Sequence, residues 1–147
     1  RRHTRALSEF GGVWKSMPIL GGLALVVMLS SVGLPGLNGF VGEFTILLGT
    51  FGSKVLGSPW FAGVATVGVI LAAVYLLHWF ESVFLGAIRQ EEKRVLVDLN
   101  WREILTLAPL LIVIFWIGLY PKPFFNLINP GVEQLAALLQ SATVALH

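Results

Sequence analysis

The chain has 147 residues, of which 56% are hydrophobic and only 12% are charged, and its mean hydropathy is +0.82. These values are typical of an integral membrane protein and exclude a water-soluble domain of this size. The formal net charge is +2 and cysteine is absent, which excludes disulfides, iron–sulfur clusters and thiolate metal sites within the chain.

The first fifteen residues are polar and basic, and we predict a cytoplasmic loop over residues 1–15. The sequence starts abruptly, without an initiator methionine or a signal peptide. We therefore expect the C-terminal portion of a longer membrane polypeptide, forming a single membrane domain over residues 1–147.

Residues 17–53 form a long apolar segment that is interrupted near its middle by the sequence GLPGLNGFVGEF, residues 33–44. Proline lacks an N–H group and obstructs the preceding helical turn, and glycine and asparagine tolerate backbone angles that other residues resist. The pattern predicts a transmembrane helix broken near residues 33–38. The residues assigned to the break are Pro35, Gly36, Asn38, Gly39 and Gly42.

An alternative is a tight turn at Pro35 between two separate membrane helices. Length argues against it, because residues 45–53 are too few to cross about 30 Å of hydrocarbon at about 1.5 Å per residue. Unsatisfied backbone groups in a broken membrane helix are tolerated only where protein or trapped water covers them, an arrangement that transporters use at ion sites.

Glu43 is the only ionisable residue between Lys15 and Lys54. A carboxylate near the centre of a membrane helix costs on the order of 2.5–3.5 kcal/mol, so such residues face a bundle interior or a water-filled cavity. Glu43 is therefore the main candidate for a functional residue. The alternative is a capping or interfacial role.

A second transmembrane helix is predicted over residues 59–86, where small residues allow close helix approach. His78 and Glu81 lie three positions apart and share one face near its end. Aromatic residues around them favour interfacial anchoring, and a protonatable pair on a proton path is the alternative.

Residues 87–102 are the longest charged stretch, and their mixed signs predict a solvated cytoplasmic loop and no nucleic-acid-binding patch. A third transmembrane helix follows over residues 103–120, and an amphipathic surface helix over residues 131–146. The last helix lies on the membrane surface or on a partner subunit, or is a frayed end. The predicted fold is thus an all-α membrane bundle of about three spans plus this amphipathic helix.

Basic residues are distributed unevenly between the predicted loops. Only Lys54 and Lys122 fall on one side of a three-span bundle. The positive-inside rule places the loops at residues 1–15 and 87–102 in the cytoplasm or matrix. A hairpin at Pro35 would remove this bias. The basic residues of the other side are Arg1, Arg2, Arg5, Lys15, Arg89, Lys93, Arg94 and Arg102.

The motif at residues 33–44, together with RHTR at residues 2–5, GGVW at residues 11–14 and GLYPKP at residues 118–123, closely resembles a known family. The chain is similar to the C-terminal part of the M-type antiporter-like subunits of respiratory complex I, the proton-translocating NADH:quinone oxidoreductase. Several relatives carry lysine near position 43, whereas M-type chains carry glutamate.

This resemblance implies a subunit that couples electron transfer from NADH to quinone to proton pumping, with Glu43 as the terminal carboxylate of the proton path. NADH, FMN, iron–sulfur clusters and quinone would belong to other subunits, and no cofactor or metal is expected in this chain. Expected partners are the other complex I membrane subunits, including neighbouring antiporter-like subunits, and membrane lipid. The expected location is a bacterial cell membrane or an organellar inner membrane.

Three alternatives remain open. A multi-subunit cation/proton antiporter and a membrane-bound hydrogenase share the fold, and each predicts a different transport or redox activity. A purely structural membrane fragment would use Glu43 for one buried hydrogen bond.

Overall fold

The computed structural model describes residues 10–54, 56–86 and 97–145. Within these ranges the chain is helical and has no strand, which confirms the predicted all-α class. The predictions for residues 1–9 and 87–96, which make up much of the two basic loops, lie outside the described residues. The helices are α1 (Val13–Ser16), α2 (Pro18–Ser31), α3 (Asn38–Gly52), α4 (Trp60–Phe80), α5 (Trp101–Leu119) and α6 (Lys122–Ala145).

Two of these helices are long and apolar enough to cross a membrane. The 21 residues of α4 and the 19 residues of α5 give lengths of roughly 31 Å and 28 Å, close to the hydrocarbon thickness of about 30 Å. α2 is apolar but shorter, with 14 residues. Most large side chains of α4 and α5 are exposed in the isolated chain, as expected of helices that face lipid or other membrane helices.

The predicted break is present between α2 and α3. Asn38, which begins α3, is hydrogen-bonded through its side chain to Ser30 in the last turn of α2. Further along α3, Glu43 lies against Gly33, which is beyond the end of α2. In a hairpin, later residues of α3 would meet earlier residues of α2. The observed order is the reverse, so α2 and α3 run in the same direction as one interrupted helix.

The packed core lies at the N-terminal end of α2, where α1 and the end of α4 meet it. Phe80 is buried there. Its ring is stacked on that of Phe84, with 4.7 Å between the ring centroids, and is edge-on to Trp14, with 6.1 Å between the centroids. α4 ends in a π-helical turn, Glu81–Leu85, that brings Val83 into the same cluster. Since α4 ends beside the start of α2 and also contacts α3, it runs antiparallel to the interrupted helix.

The start of α5 is fixed to the start of α2 by Asp98. Its carboxylate accepts hydrogen bonds from the backbone N–H groups of Ile19 at 2.8 Å and Leu20 at 3.2 Å. These donors belong to the first turn of α2, which has no side-chain cap of its own. α5 then begins at a capping box between Asn100 and Glu103 and extends along α2 toward the break.

The last helix differs from the prediction, because α6 begins at Lys122 rather than at residue 131. The carbonyl of Pro121 accepts hydrogen bonds from the N–H groups of Phe124 and Phe125 at 3.0 and 3.1 Å, which starts the helix. Pro123 falls in the first turn, where a missing N–H costs nothing. Pro130 lies inside α6 and has no N–H to donate to the carbonyl one turn earlier. The helix is exposed enough for solvent to reach that carbonyl.

Candidate functional site at the break between α2 and α3

α2 ends at a glycine cap centred on Gly33. The N–H of Leu34 donates to the carbonyl of Leu29 at 3.0 Å, and the N–H of Gly33 donates to the carbonyl of Ser30 at 3.2 Å. This pair of bonds is a Schellman motif, which needs a left-handed residue at its centre. Gly33 has φ +81°, a conformation that side-chain-bearing residues rarely adopt. The stop is therefore encoded by Gly33, two residues before the proline.

The six residues between α2 and α3 form a compact turn. Leu37 donates its N–H to the carbonyl of Leu34 at 3.1 Å and buries its side chain. Pro35 is exposed at the outside of the turn, and Gly36 has φ +95°. These residues allow the chain to leave one helix and start the next in the same direction within a short distance.

The first turn of α3 packs closely against the last turn of α2. The Ser30 hydroxyl donates a hydrogen bond to the side-chain oxygen of Asn38, and Ser30 is 5% exposed. A Cβ atom built at Gly39 would overlap with the carbonyl oxygen of Ser30 and lie 3.0 Å from its carbon. A residue other than glycine at position 39 would therefore separate the two helices.

Glu43 reaches back from α3 to the break. A Cβ atom built at Gly33 would lie 3.0 Å from Cδ and 3.5 Å from Oε1 of Glu43, and closer still to Oε2. The carboxylate thus rests against the backbone of the glycine cap. Among the residues that the structure describes, none forms a hydrogen bond or an ion pair with this carboxylate.

The end of α5 covers the other side of the break. A Cβ atom at Gly118 would overlap with the carbonyl group of Gly36 and approach Cα of Leu37. The next residue, Leu119, has its Cδ2 atom 3.8 Å from a Cβ built at Gly36. α5 therefore contacts the unwound segment directly, and the two backbones approach each other closely.

His78 and Glu81 lie near the end of α4, which packs at the start of α2, whereas Glu43 lies at the break beyond the end of α2. Both are exposed, and Glu81 begins the π-helical turn beside the core at the start of α2. The Ser82 hydroxyl bonds the His78 carbonyl at 2.8 Å, which is a local helix contact. The structure does not bring these two residues together with the break.

An apolar cavity of about 390 Å³ lies between α2, α4 and α5. Its walls are mainly leucine, valine and isoleucine side chains, with Ser31 and Trp79 as the polar members, and no titratable side chain lines it. It therefore offers no titratable group that could carry a proton.

The chain has no cysteine, and within the ranges that the structure describes no three His, Asp or Glu side chains are grouped as metal ligands would be. The expectation that cofactors belong to other subunits stays a prediction.

The predicted break residues take different positions. Pro35 and Gly36 lie in the turn, Asn38 and Gly39 begin α3, and Gly42 lies inside α3 with open space around it. Sequence reasoning did not single out Ser30, Gly33 or Gly118 as site residues. A serine inside an apolar run and a glycine at the end of one were the available signals, whereas the contact of Gly118 depends on tertiary packing.

Comparisons with known proteins point to the class of antiporter-like membrane subunits. The family model described as NADH:quinone oxidoreductase/Mrp antiporter, transmembrane, matches residues 1–72. In the structural comparison, the chain matches respiratory complex I from Thermus thermophilus with bound NADH, with a TM-score of 0.79 and 35% identity, over 95% of this chain and 28% of that one.

Curated relatives narrow the assignment. NADH-quinone oxidoreductase subunit M of Rickettsia typhi is 41% identical over 135 residues, or 92% of this chain and 26% of the relative. The subunit M of Mycobacterium tuberculosis is 39% identical over 133 residues, which are 90% of this chain and 23% of the relative. The chain is therefore similar to the M-type members of the antiporter-like subunits, in agreement with the resemblance that its motifs indicated. It spans about a quarter of the length of these relatives.

Proposed function

We propose that this chain is part of a proton-translocating membrane subunit of NADH:quinone oxidoreductase, in which Glu43 carries the proton. The observation that supports this most directly is the position of the Glu43 carboxylate, which rests on the unwound backbone at Gly33. The relatives named above as NADH-quinone oxidoreductase subunit M support the same assignment.

In this proposal the interrupted helix α2–α3, α4 and α5 are three spans of a multi-pass protein in a bacterial cell membrane or an organellar inner membrane. The basic loops face the cytoplasm or matrix. The partners are other membrane subunits of the complex, and the groups that handle NADH, flavin and quinone lie in those subunits.

The break supplies two things that a proton carrier in a membrane needs. It exposes backbone polar groups that hold water where a continuous helix would have none. It also provides a carboxylate that is not engaged by another described side chain. In a poorly hydrated site a neutral carboxyl group is favoured, and a cation approaching from a neighbouring helix favours the carboxylate, so movement of such a cation loads or releases the proton.

The test is NADH-driven proton uptake in membrane vesicles that carry the full complex with Glu43→Gln, with quinone reduction recorded in parallel. The amide keeps the size of the side chain but cannot exchange a proton, so we expect proton uptake to fall at least about tenfold, as for loss of an acid–base group, while the complex assembles. Glu81→Gln is the matched control, because this carboxylate is also on an apolar helix but is exposed away from the break. Full pumping with Glu43→Gln would contradict the proposal and assign Glu43 a structural role.

A second candidate is a subunit of a multi-subunit cation/proton antiporter, because the matching family model covers both groups. The same vesicles distinguish the two. Proton movement driven by an imposed sodium or potassium gradient, without NADH, supports the antiporter, and proton movement that requires NADH oxidation supports the primary proposal.

A further inference from the structure

Gly33 has two separate reasons to be glycine. The first is its positive φ, which ends α2. The second is space: the three atoms nearest to a Cβ built at Gly33 all belong to the carboxylate of Glu43. The volume that an alanine methyl group would fill is therefore already occupied by the proposed proton carrier.

Two other positive-φ glycines separate these reasons. Gly36 has φ +95°, but a Cβ there would meet only Cδ2 of Leu119 at 3.8 Å, an ordinary van der Waals contact. Gly57 has φ +65° and open space around it. Left-handed backbone is thus common to all three, whereas contact with the Glu43 carboxylate is specific to Gly33.

We propose that Gly33 is a positioning residue whose missing side chain forms the seat of the Glu43 carboxylate. This inference rests on the proposed function and deepens it. The seat holds the carboxylate over the unwound backbone, where water that solvates the break reaches its oxygens. A side chain at position 33 displaces the carboxylate from the break and leaves the glutamate present but out of place for proton exchange.

The experiment compares Gly33→Ala with Gly57→Ala in the full complex, measuring protons taken up per NADH oxidised and the amount of assembled complex. Both variants place alanine at a positive-φ position, but Gly57 lies outside the break and has open space around it. We expect Gly33→Ala to lower the proton yield roughly fivefold or more, since misplacing a reacting group by about 1 Å can cost 10²-fold. We expect Gly57→Ala to keep the yield of the unmodified complex.

A double variant separates displacement from general damage. Aspartate is one methylene shorter than glutamate, so Glu43→Asp combined with Gly33→Ala leaves room for the new methyl group. We expect this double variant to have a higher proton yield than Gly33→Ala alone, a coupling that a merely structural glycine would not produce. If Gly33→Ala fails to assemble, the same double variant is scored for recovery of assembly.

The outcomes distinguish the two proposals. Equal loss in Gly33→Ala and Gly57→Ala, full pumping in Gly33→Ala, or no recovery in the double variant overturns the seat while leaving the role of Glu43 intact. Full pumping in Glu43→Gln overturns the proposed function itself.

Discussion

The break and the end of α4 both carry a carboxylate at an irregular point of an apolar helix, yet their surroundings differ. At the break, Gly33 and Gly39 bring backbone and side chains together so closely that a methyl group would not fit. At the end of α4, Glu81 begins a π-helical turn and stays exposed. The two irregularities therefore differ in one respect: the Glu43 carboxylate lies against the backbone at Gly33, whereas Glu81 is exposed.

The largest effect is expected from a substitution that separates α2 and α3, the two half-helices on either side of the break. In Gly39→Ala the new methyl group overlaps with the Ser30 carbonyl, which is backbone and cannot move aside. We expect the free energy of unfolding to fall by about 3 kcal/mol or more. This would be seen as little assembled complex on native gels.

Gly42→Ala is the control for that substitution, because it lies one turn further along α3 with nothing within 4 Å. Alanine there favours the helix by up to about 1 kcal/mol, so assembly is expected to be unchanged. Normal assembly of Gly39→Ala would contradict the close approach of α2 and α3.

A smaller effect is expected at the hydrogen bond that joins the half-helices. Ser30→Ala removes the donor to Asn38 at a buried position, and the loss of such a bond costs about 1 kcal/mol. We expect a lower temperature of thermal inactivation of the purified complex.

Ser31→Ala is the matched comparison, since the Ser31 hydroxyl is exposed and bonds only the Val27 carbonyl of its own helix. Ser31→Ala should change the free energy of unfolding by no more than about 0.5 kcal/mol. Equal shifts for the two serines would argue that the bond between Ser30 and Asn38 does not hold the half-helices together.

The smallest effect is expected at the end of α4, where His78 and Glu81 lie. Because His78 and Glu81 are exposed and distant from the break, the double variant His78→Gln, Glu81→Gln should change stability by no more than about 0.5 kcal/mol. Its proton yield per NADH should equal that of the unmodified complex. A clear fall in proton yield with normal electron transfer would place this pair on a proton path. The end of α4 and the break would then not differ in function.

Much of this architecture could be predicted from local sequence. Pro35 and the surrounding glycines located the break, and the asymmetry of basic residues favoured an interrupted helix over a hairpin. The contact between Gly33 and the Glu43 carboxylate could not be predicted, because it depends on a side chain ten residues away reaching back across the break. The contact of Gly118 depends on α5 arriving beside the turn. The start of α6 was misplaced because proline is compatible with either the end of one helix or the first turn of the next.

The cap that Asp98 provides to α2 has a consequence for biosynthesis. The carboxylate is 79 residues downstream of the Ile19 N–H group that it binds. At translation rates of about 5–20 residues per second, the start of α2 leaves the ribosome roughly 4–16 s before its cap is made. During that interval the first turn of α2 lacks its final partner, and both α3 and α4 are synthesised. The contact between the start of α5 and the start of α2 can therefore form only after α3 and α4 have been made.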